Sequence, residues 1–250
     1  MIRVCVAGIT GWTGAPVAEA VRAADDLELV AGVARSHPDH FSSVAEALDA
    51  LETDVLVDYT HASAVEGNVR AALERGVGVV VGSSGLGAAD YGALDALARQ
   101  RGVGVIAAGN FSLTAALLLR FATEAAAQFD VWEVIDYASA GKEDAPSGTA
   151  RELAERLADV HRPALDVPLD DVLGAPQARG ATVAGTQVHS LRLPGFVVST
   201  EVVFASSGER LTLRHDAGPT PEPYVAGTLV AIRSLPGRVG LTRGLDRLLA

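Results

Sequence analysis

The sequence has one cysteine, one methionine and few aromatics, which make up 5% of its 250 residues. The lone thiol, Cys5, cannot close an intrachain disulfide, so the fold must rest on its buried core, as suits a reducing, cytoplasmic setting. Cys5 lies in the apolar run Val4-Cys5-Val6 and reads as a small buried hydrophobe rather than a nucleophile. Basic residues are also scarce: 20 Lys and Arg against 31 Asp and Glu leave a net charge of −11. Nucleic-acid binders carry a basic stripe to neutralise phosphates. None is visible here, so no nucleic-acid partner is expected, and the acidic balance reads as a solubility feature. No uninterrupted apolar run reaches membrane-spanning length. No charged-then-apolar leader precedes the first strand pattern, so a cytoplasmic protein without a membrane partner is expected. The histidines at 37, 40, 61, 161, 189 and 215 lack metal-ligand spacing, so no metal is expected. There is also no G-x-S-x-G elbow for acyl chemistry.

What is abundant is Ala, Val, Leu and Gly, with 49% of residues hydrophobic. Val-rich runs alternate with Ala-rich amphipathic segments. Strands are expected at Ile2–Ala7, Leu27–Ala34, Val55–Tyr59, Val77–Val81 and Val103–Ala107. Between them lie helices at Ala15–Ala24, Val44–Leu51, Ala62–Arg75 and Ala89–Arg101. This rhythm predicts an α/β fold, a parallel sheet covered by helices on both faces. After about Asn110 the rhythm changes. A long helix at Leu113–Phe129 leads to a strand at Val131–Tyr137 and a helix at Ser147–Val160. A loop rich in Pro, Asp and Gly spans Arg162–Gly185, an antiparallel hairpin follows at Val197–Ala205 and Arg210–His215, and Tyr224–Leu235 returns to helix. The expected division is residues 1–109 with 217–250 as a dinucleotide-binding domain, and 110–216 as an inserted α+β domain for substrate binding and oligomerisation.

The strongest motif is Gly8-Ile9-Thr10-Gly11-Trp12-Thr13-Gly14, between the first strand and the first helix. A pyrophosphate needs close backbone approach and the free N–H groups of a helix N-terminus, and a G-x-x-G-x-x-G turn in this context supplies both. The second strand ends Val33-Ala34-Arg35-Ser36 without the carboxylate that would hold the ribose hydroxyls of NAD. Arg35 and Ser36 can instead hold a 2′-phosphate, so NADPH is the expected cofactor, with NADH possible. Gly82-Ser83-Ser84-Gly85 and Asn110-Phe111-Ser112 follow later strands, at the ligand-binding edge of a parallel sheet. In Lys142-Glu143-Asp144-Ala145-Pro146-Ser147-Gly148-Thr149, an ammonium precedes a helix start, a suitable cradle for a carboxylate substrate. Glu133 and Asp136 are a weak candidate for a carboxylate pair, and His189 and His215, in strand-like contexts, read as structural.

Taken in order, these motifs resemble the dihydrodipicolinate reductases of lysine biosynthesis. The marks span nearly the whole chain: Gly8 to Gly14, Asp58-Tyr59-Thr60, Gly82 to Gly85, Asn110 to Ser112, Asp144 to Ala150, His189 to Gly195 and Leu211 to Asp216. The resemblance implies a Rossmann domain with an inserted α+β domain, an NADPH- or NADH-dependent reduction of an unsaturated cyclic dicarboxylate, and a homotetramer. It implies cofactor contacts at Gly8, Ile9, Thr10, Gly11, Trp12, Thr13, Gly14, Arg35, Tyr59, Gly82, Ser83, Ser84, Ala108, Gly109, Asn110 and Phe111. It makes Lys142 the proton donor and sets Ser139, Ser147, Gly148 and Thr149 at the substrate.

One departure stands against these matches. The family places two adjacent histidines shortly before the lysine, one for acid–base work, and those positions here hold Ala138 and Ser139. Neither side chain shuttles protons near neutral pH. Three accounts follow: Lys142 or a water it positions protonates alone, the substrate is a different imine, or Tyr137 serves as donor. A non-catalytic nucleotide-binding regulator is the alternative from outside enzymology.

Overall fold

The structure is a computed structural model that describes residues 1–249. The chain divides into two compact units, Met1–Leu113 with Pro221–Ala250, and Thr114–Thr220. These limits lie a few residues beyond those read from the sequence.

The first unit opens with β1 (Ile2–Ala7), α1 (Gly14–Ala23), β2 (Leu27–Val33), α2 (Val44–Ala50), β3 (Val55–Asp58), α3 (Val65–Glu74), β4 (Gly78–Val81), α4 (Ala88–Arg101) and β5 (Gly104–Ala107). β3, β4 and β5 are buried at every position. That is why they read as continuous apolar runs without alternation, since helices cover both faces of a parallel sheet. α2 is capped by Ser43, whose hydroxyl accepts from the Glu46 amide at 3.2 Å. α4 ends at Gly102 with φ +70°, the left-handed cap that favours glycine. Cys5 is fully buried in the core under α2 and α3. Burial, with Asp58 nearby, pushes its thiol up to about 12, which leaves it unreactive.

The second unit contains α5 (Leu113–Ala126), β6 (Val131–Ala138), α6 (Gly148–Ala158), β7 (Ala181–Val183), β8 (Thr186–Arg192), β9 (Val198–Ala205) and β10 (Arg210–Asp216). Its sheet runs β10-β9-β6-β8-β7, with β6 and β8 parallel and the other pairs antiparallel. β6 alternates strictly, and its even-numbered residues are buried. Trp132 and Val134 pack there with Val202 and Phe204 of β9 against Leu118, Leu119 and Ala122 of α5 and Leu153 and Leu157 of α6. The opposite face carries Val131, Glu133, Ile135 and Tyr137, each half buried. Glu133 and Asp136 therefore point to opposite faces and do not form a pair.

The stretch expected as one loop, Arg162–Gly185, holds two short 3₁₀ turns and β7, which Ala184 and Gly185, both at positive φ, turn back into β8. β8 was not assigned as a strand, although His189 was read in a strand-like context, because two of its three buried positions, Thr186 and Gln187, are polar. The Trp132 indole donates to Thr186 Oγ1 at 3.1 Å, and Gln187 Nε2 donates to the Arg179 carbonyl at 2.8 Å. Hydrogen bonds satisfy these groups, so no hydrophobic period marks the strand.

The chain then returns to the first unit as α7 (Glu222–Ser234) and β11 (Gly240–Arg243). β11 pairs parallel with β5 and completes a six-stranded sheet in the order β11-β5-β4-β3-β1-β2, parallel throughout. The chain reverses its direction of travel across the sheet between β2 and β3, on either side of β1. In such sheets the crevice at the carboxyl end of this switch point is where ligands bind.

Candidate active site

The loop leaving β1 lies at that switch point. Gly8 has φ +80°, and a methyl group there would sit 2.3 Å from the Tyr59 carbonyl oxygen. Gly14 opens α1 so close to the loop that a methyl group would meet the Gly8 carbonyl at 2.1 Å. The Gly11 N–H donates to that carbonyl at 2.8 Å and tightens the turn. Ile9 is buried, whereas Thr10 and Trp12 are exposed. The amides of Thr10, Trp12 and Thr13 have no partner among the described residues. Such a cradle, floored by glycine and edged by free amides at a helix N-terminus, fits a dinucleotide pyrophosphate. Arg35 and Ser36 form an exposed turn just after β2.

The neighbouring loops are tied to one buried carboxylate. Asp58 ends β3 fully buried and accepts from Thr60 N at 3.0 Å, Thr60 Oγ1 at 2.8 Å, Asn68 Nδ2 at 2.8 Å and Ser83 Oγ at 2.5 Å. It thereby joins the loop after β3 to the Gly82–Gly85 loop after β4. The Tyr59 ring covers Gly82, where a methyl group would come within 2.1 Å of Cε1. Its hydroxyl pairs with Thr228 Oγ1 at 2.6 Å, and burial raises its pKa. Ser84 and Gly109 are exposed, Ala108 and Phe111 are buried, and Asn110 Oδ1 accepts from the Ser112 amide at 2.8 Å. α7 completes this edge. Thr228 donates to the Tyr224 carbonyl at 2.7 Å, and the Tyr224 ring lies 5.9 Å from Trp12. Sequence reasoning missed Tyr224 and Thr228, whose partners are remote in the chain. It also gave Asp58 no role, although an acid closing the run Val55-Leu56-Val57 signals a buried carboxylate that must be satisfied.

In the second unit, β6 delivers the segment that carries Lys142. Ala138 is buried, Ser139 exposed and Lys142 partly exposed, with Nζ 2.7 Å from Asp144 Oδ1. Ser147 caps α6: its Oγ accepts from the Ala150 amide at 3.3 Å, while its own amide donates to the buried Asp136 at 2.9 Å. Gly148 and Thr149 form the first turn of α6, and the Gly148 amide has no partner among the described residues. An ammonium, a free amide and the positive end of an 11-residue helix thus lie on one short segment, suited to an anion.

Comparison with known proteins bears on the whole chain. Residues 2–111 match the family model "Dihydrodipicolinate reductase, N-terminus", and residues 114–249 match "Dihydrodipicolinate reductase, C-terminus". The chain belongs to the dihydrodipicolinate reductase family.

Within the family, it is 41% identical to the 4-hydroxy-tetrahydrodipicolinate reductase of Nocardia farcinica, over 98% of this chain and 97% of that protein. It is 37% identical to the enzyme of the same name from Mycolicibacterium smegmatis, over 99% of this chain and 99% of that protein. A dipicolinate-bound dihydrodipicolinate reductase from Paenisporosarcina sp. TG-14 superposes with a TM-score of 0.81 at 28% identity, over 100% of both chains. The fold alone is shared with GenD2 from gentamicin A biosynthesis, solved with NAD, at a TM-score of 0.68 and 17% identity over 99% of this chain and 90% of that one. The expected α/β architecture with an added mixed-sheet unit is thus that of a dihydrodipicolinate reductase. Against that background Ala138 and Ser139 stand as side chains with no titratable group.

Proposed function

We propose that this chain is an NAD(P)H-dependent reductase of 4-hydroxy-tetrahydrodipicolinate. The observation that carries the reading is the joint presence of the glycine cradle after β1 and the Lys142 to Thr149 segment at the start of α6, in a chain of this family. When bound, the reduced nicotinamide supplies the hydride, which adds to an electrophilic ring carbon. The backbone at Gly8 to Gly14 holds the pyrophosphate, Arg35 and Ser36 take the 2′-phosphate of NADPH, and the loops tied to Asp58 line the nicotinamide half. Ser147, Gly148 and Thr149 hold a ring carboxylate at the helix N-terminus, with Ser139 beside them. Lys142 balances the charge that develops on the ring and gives up a proton from Nζ. Asp144 holds that ammonium in the free protein, and a bound carboxylate competes for it.

Ala138 and Ser139 favour a second reading, in which the same hydride chemistry serves a smaller or less polar imine. A pocket without imidazoles suits a substrate that needs less proton transfer. The deciding assay mixes purified protein and NADPH with the product of the upstream synthase and follows absorbance at 340 nm. Loss of absorbance establishes the first reading. No loss at enzyme excess, with turnover of another cyclic imine, establishes the second. Tight NADPH binding with no oxidation across a panel of imines and carbonyls would indicate a regulatory protein. We also propose that the second unit joins copies of the chain through the sheet face bearing Val131, Ile135, Tyr137 and Val203. Sedimentation that found a tetramer would support this, and a monomer would remove it.

A further inference from the structure

The loop that closes β2 carries two imidazoles to which the reading above gives no task. Residues 35–40 leave the sheet and return at Phe41, and the neck of the loop is pinned. Ala34 N–H donates to the Phe41 carbonyl at 3.0 Å, and Phe41 N–H donates to the Gly32 carbonyl at 3.0 Å. Inside the loop, His37 N–H donates to the Ala34 carbonyl at 3.3 Å and His40 N–H to the His37 carbonyl at 3.2 Å. These turns set the two rings 4.8 Å apart between centroids, tilted by 36°. His40 lies over Gly32 beside the glycine cradle: a methyl group on Gly32 would sit 3.0 Å from His40 Nδ1 and 2.5 Å from Ile9 Cδ1. Arg35 is exposed on the same loop with no partner among the described residues.

Beside the rings lie Gly32 from β2 and Ile9 from the cradle, both uncharged. Among the described residues, the acid that pairs with a ring is Asp39, 83% exposed, with its carboxylate 3.8 Å from His37 Nδ1. The Asp39 amide donates to the same Nδ1 at 3.4 Å, which in the neutral ring puts the proton on Nε2.

We propose that His37 and His40, with Arg35 and Ser36, select the 2′-phosphorylated dinucleotide in a pH-dependent way, the phosphate being held most tightly when an imidazole beside it is protonated. This rests on the dinucleotide reading given above. Imidazole is the side chain whose charge changes near neutral pH. A dianionic phosphate accepts a charge-assisted hydrogen bond from each ring. A phosphate monoester keeps its second charge down to about pH 6, so an interval between about pH 6 and 7 has both the dianion and a cationic ring. NADH lacks the group and has nothing for these rings to sense. The pair thus makes NADPH preference strongest in mildly acidic conditions and weaker in alkaline ones.

The test is the ratio of the dissociation constants for NADH and NADPH, measured by titration calorimetry from pH 5.5 to 8.5. The proteins are the wild type and the double variant His37→Gln with His40→Gln. Measuring both cofactors in each preparation cancels any loss of folded protein. In the wild type the ratio should rise roughly fivefold or more from pH 8 to about 6.3, the scale of one charge-assisted hydrogen bond. The double variant should show no such rise. A wild-type ratio independent of pH, or an unchanged rise in the double variant, overturns the proposal. If neither cofactor binds at any pH, the dinucleotide reading itself falls and this proposal falls with it.

Discussion

One nitrogen of Arg192, Nη2, donates both to the buried Asp136 carboxylate at 2.8 Å and to the Asp144 carbonyl at 2.6 Å. The same Asp136 oxygen accepts from the Ser147 amide at 2.9 Å and from Ser190 Oγ at 3.0 Å. The pair therefore fixes both ends of the turn between Lys142 and α6. It is incompletely satisfied, because Asp136 Oδ1 and Arg192 Nε have no partner among the described residues. Arg192→Met should cost about 3 kcal/mol by urea unfolding, since it strands a buried charge. Adding Asp136→Leu to Arg192→Met should recover part of that loss, because the desolvation penalty is then removed from both sides. A double variant less stable than the single one would show that the pair is a net stabiliser.

Two glycines should respond to alanine with opposite signs. A methyl group at Gly227 of α7 would lie 1.9 Å from the Phe111 carbonyl, a backbone atom that cannot swing away. Gly227→Ala should destabilise by about 3 kcal/mol, at the upper end of overpacking costs, and should weaken NADPH binding by disturbing the loop after β5. Gly92, in the middle of α4, has nothing within 4 Å of the added methyl, and Gly92→Ala should stabilise by about 0.8 kcal/mol. Paired thermal melts read both changes.

The parallel sheet was legible because β1, β3, β4 and β5 are largely apolar runs, as burial on both faces requires, with Asp58 the buried polar residue at the end of β3. The cradle was legible because Gly8, Gly11 and Gly14 are local, and each is required by a contact within the same turn or with the adjacent strand end. β8 was not legible, since Thr186 and Gln187 are buried through hydrogen bonds rather than by hydrophobicity. β11 is short and begins at Gly240, with φ +84°, and its place at the sheet edge depends on pairing with β5 and on the Leu241 amide donating to Asp95 at 2.7 Å. The α7 contribution was out of reach for another reason. Tyr59 and Thr228 are 169 residues apart, and no local pattern announces a contact of that range.

Lys142 is the one group on its segment that can give up a proton to the substrate under the proposed chemistry. Lys142→Met should lower kcat/KM by ~10²–10⁴, the usual worth of a positioned acid, while the NADPH dissociation constant stays within about twofold. An equal loss in cofactor affinity would mean that the lysine serves the nucleotide instead.

Ser139→His tests the departure at the second unit. If the chain reduces the family substrate with half of its acid–base equipment, an imidazole at this exposed position should raise kcat by about tenfold or more and give the rate a pH dependence near neutrality. If the pocket is adapted to a different imine, the same change should lower turnover of that imine by crowding it. The sign of the effect on kcat, measured with each substrate, separates the two cases.

The pH dependence of stability should carry the mark of His215. Its ring is buried, Nδ1 lies 3.1 Å from Thr114 Oγ1, and Nε2 has no partner among the described residues. Burial lowers its pKa below the usual imidazole value, and the smaller pull of Asp216 only partly opposes this. The unfolded chain therefore takes up the proton first as pH falls. The contribution of neutral His215 is complete above about pH 6.5 and is lost as pH drops towards the lowered folded value. His161 acts in the opposite sense. The Arg162 carbonyl beside it raises its pKa, so its contribution is present in acid and lost as pH rises. It is close to the surface, and solvent screening makes it the weaker of the two. Tm should thus be followed from pH 5 to 8 in the wild type and in His215→Gln, with roughly 2–4 °C expected for each 1 kcal/mol. The wild type should lose more Tm than the variant between pH 7 and 5, and parallel curves would show that His215 does not titrate in the folded protein.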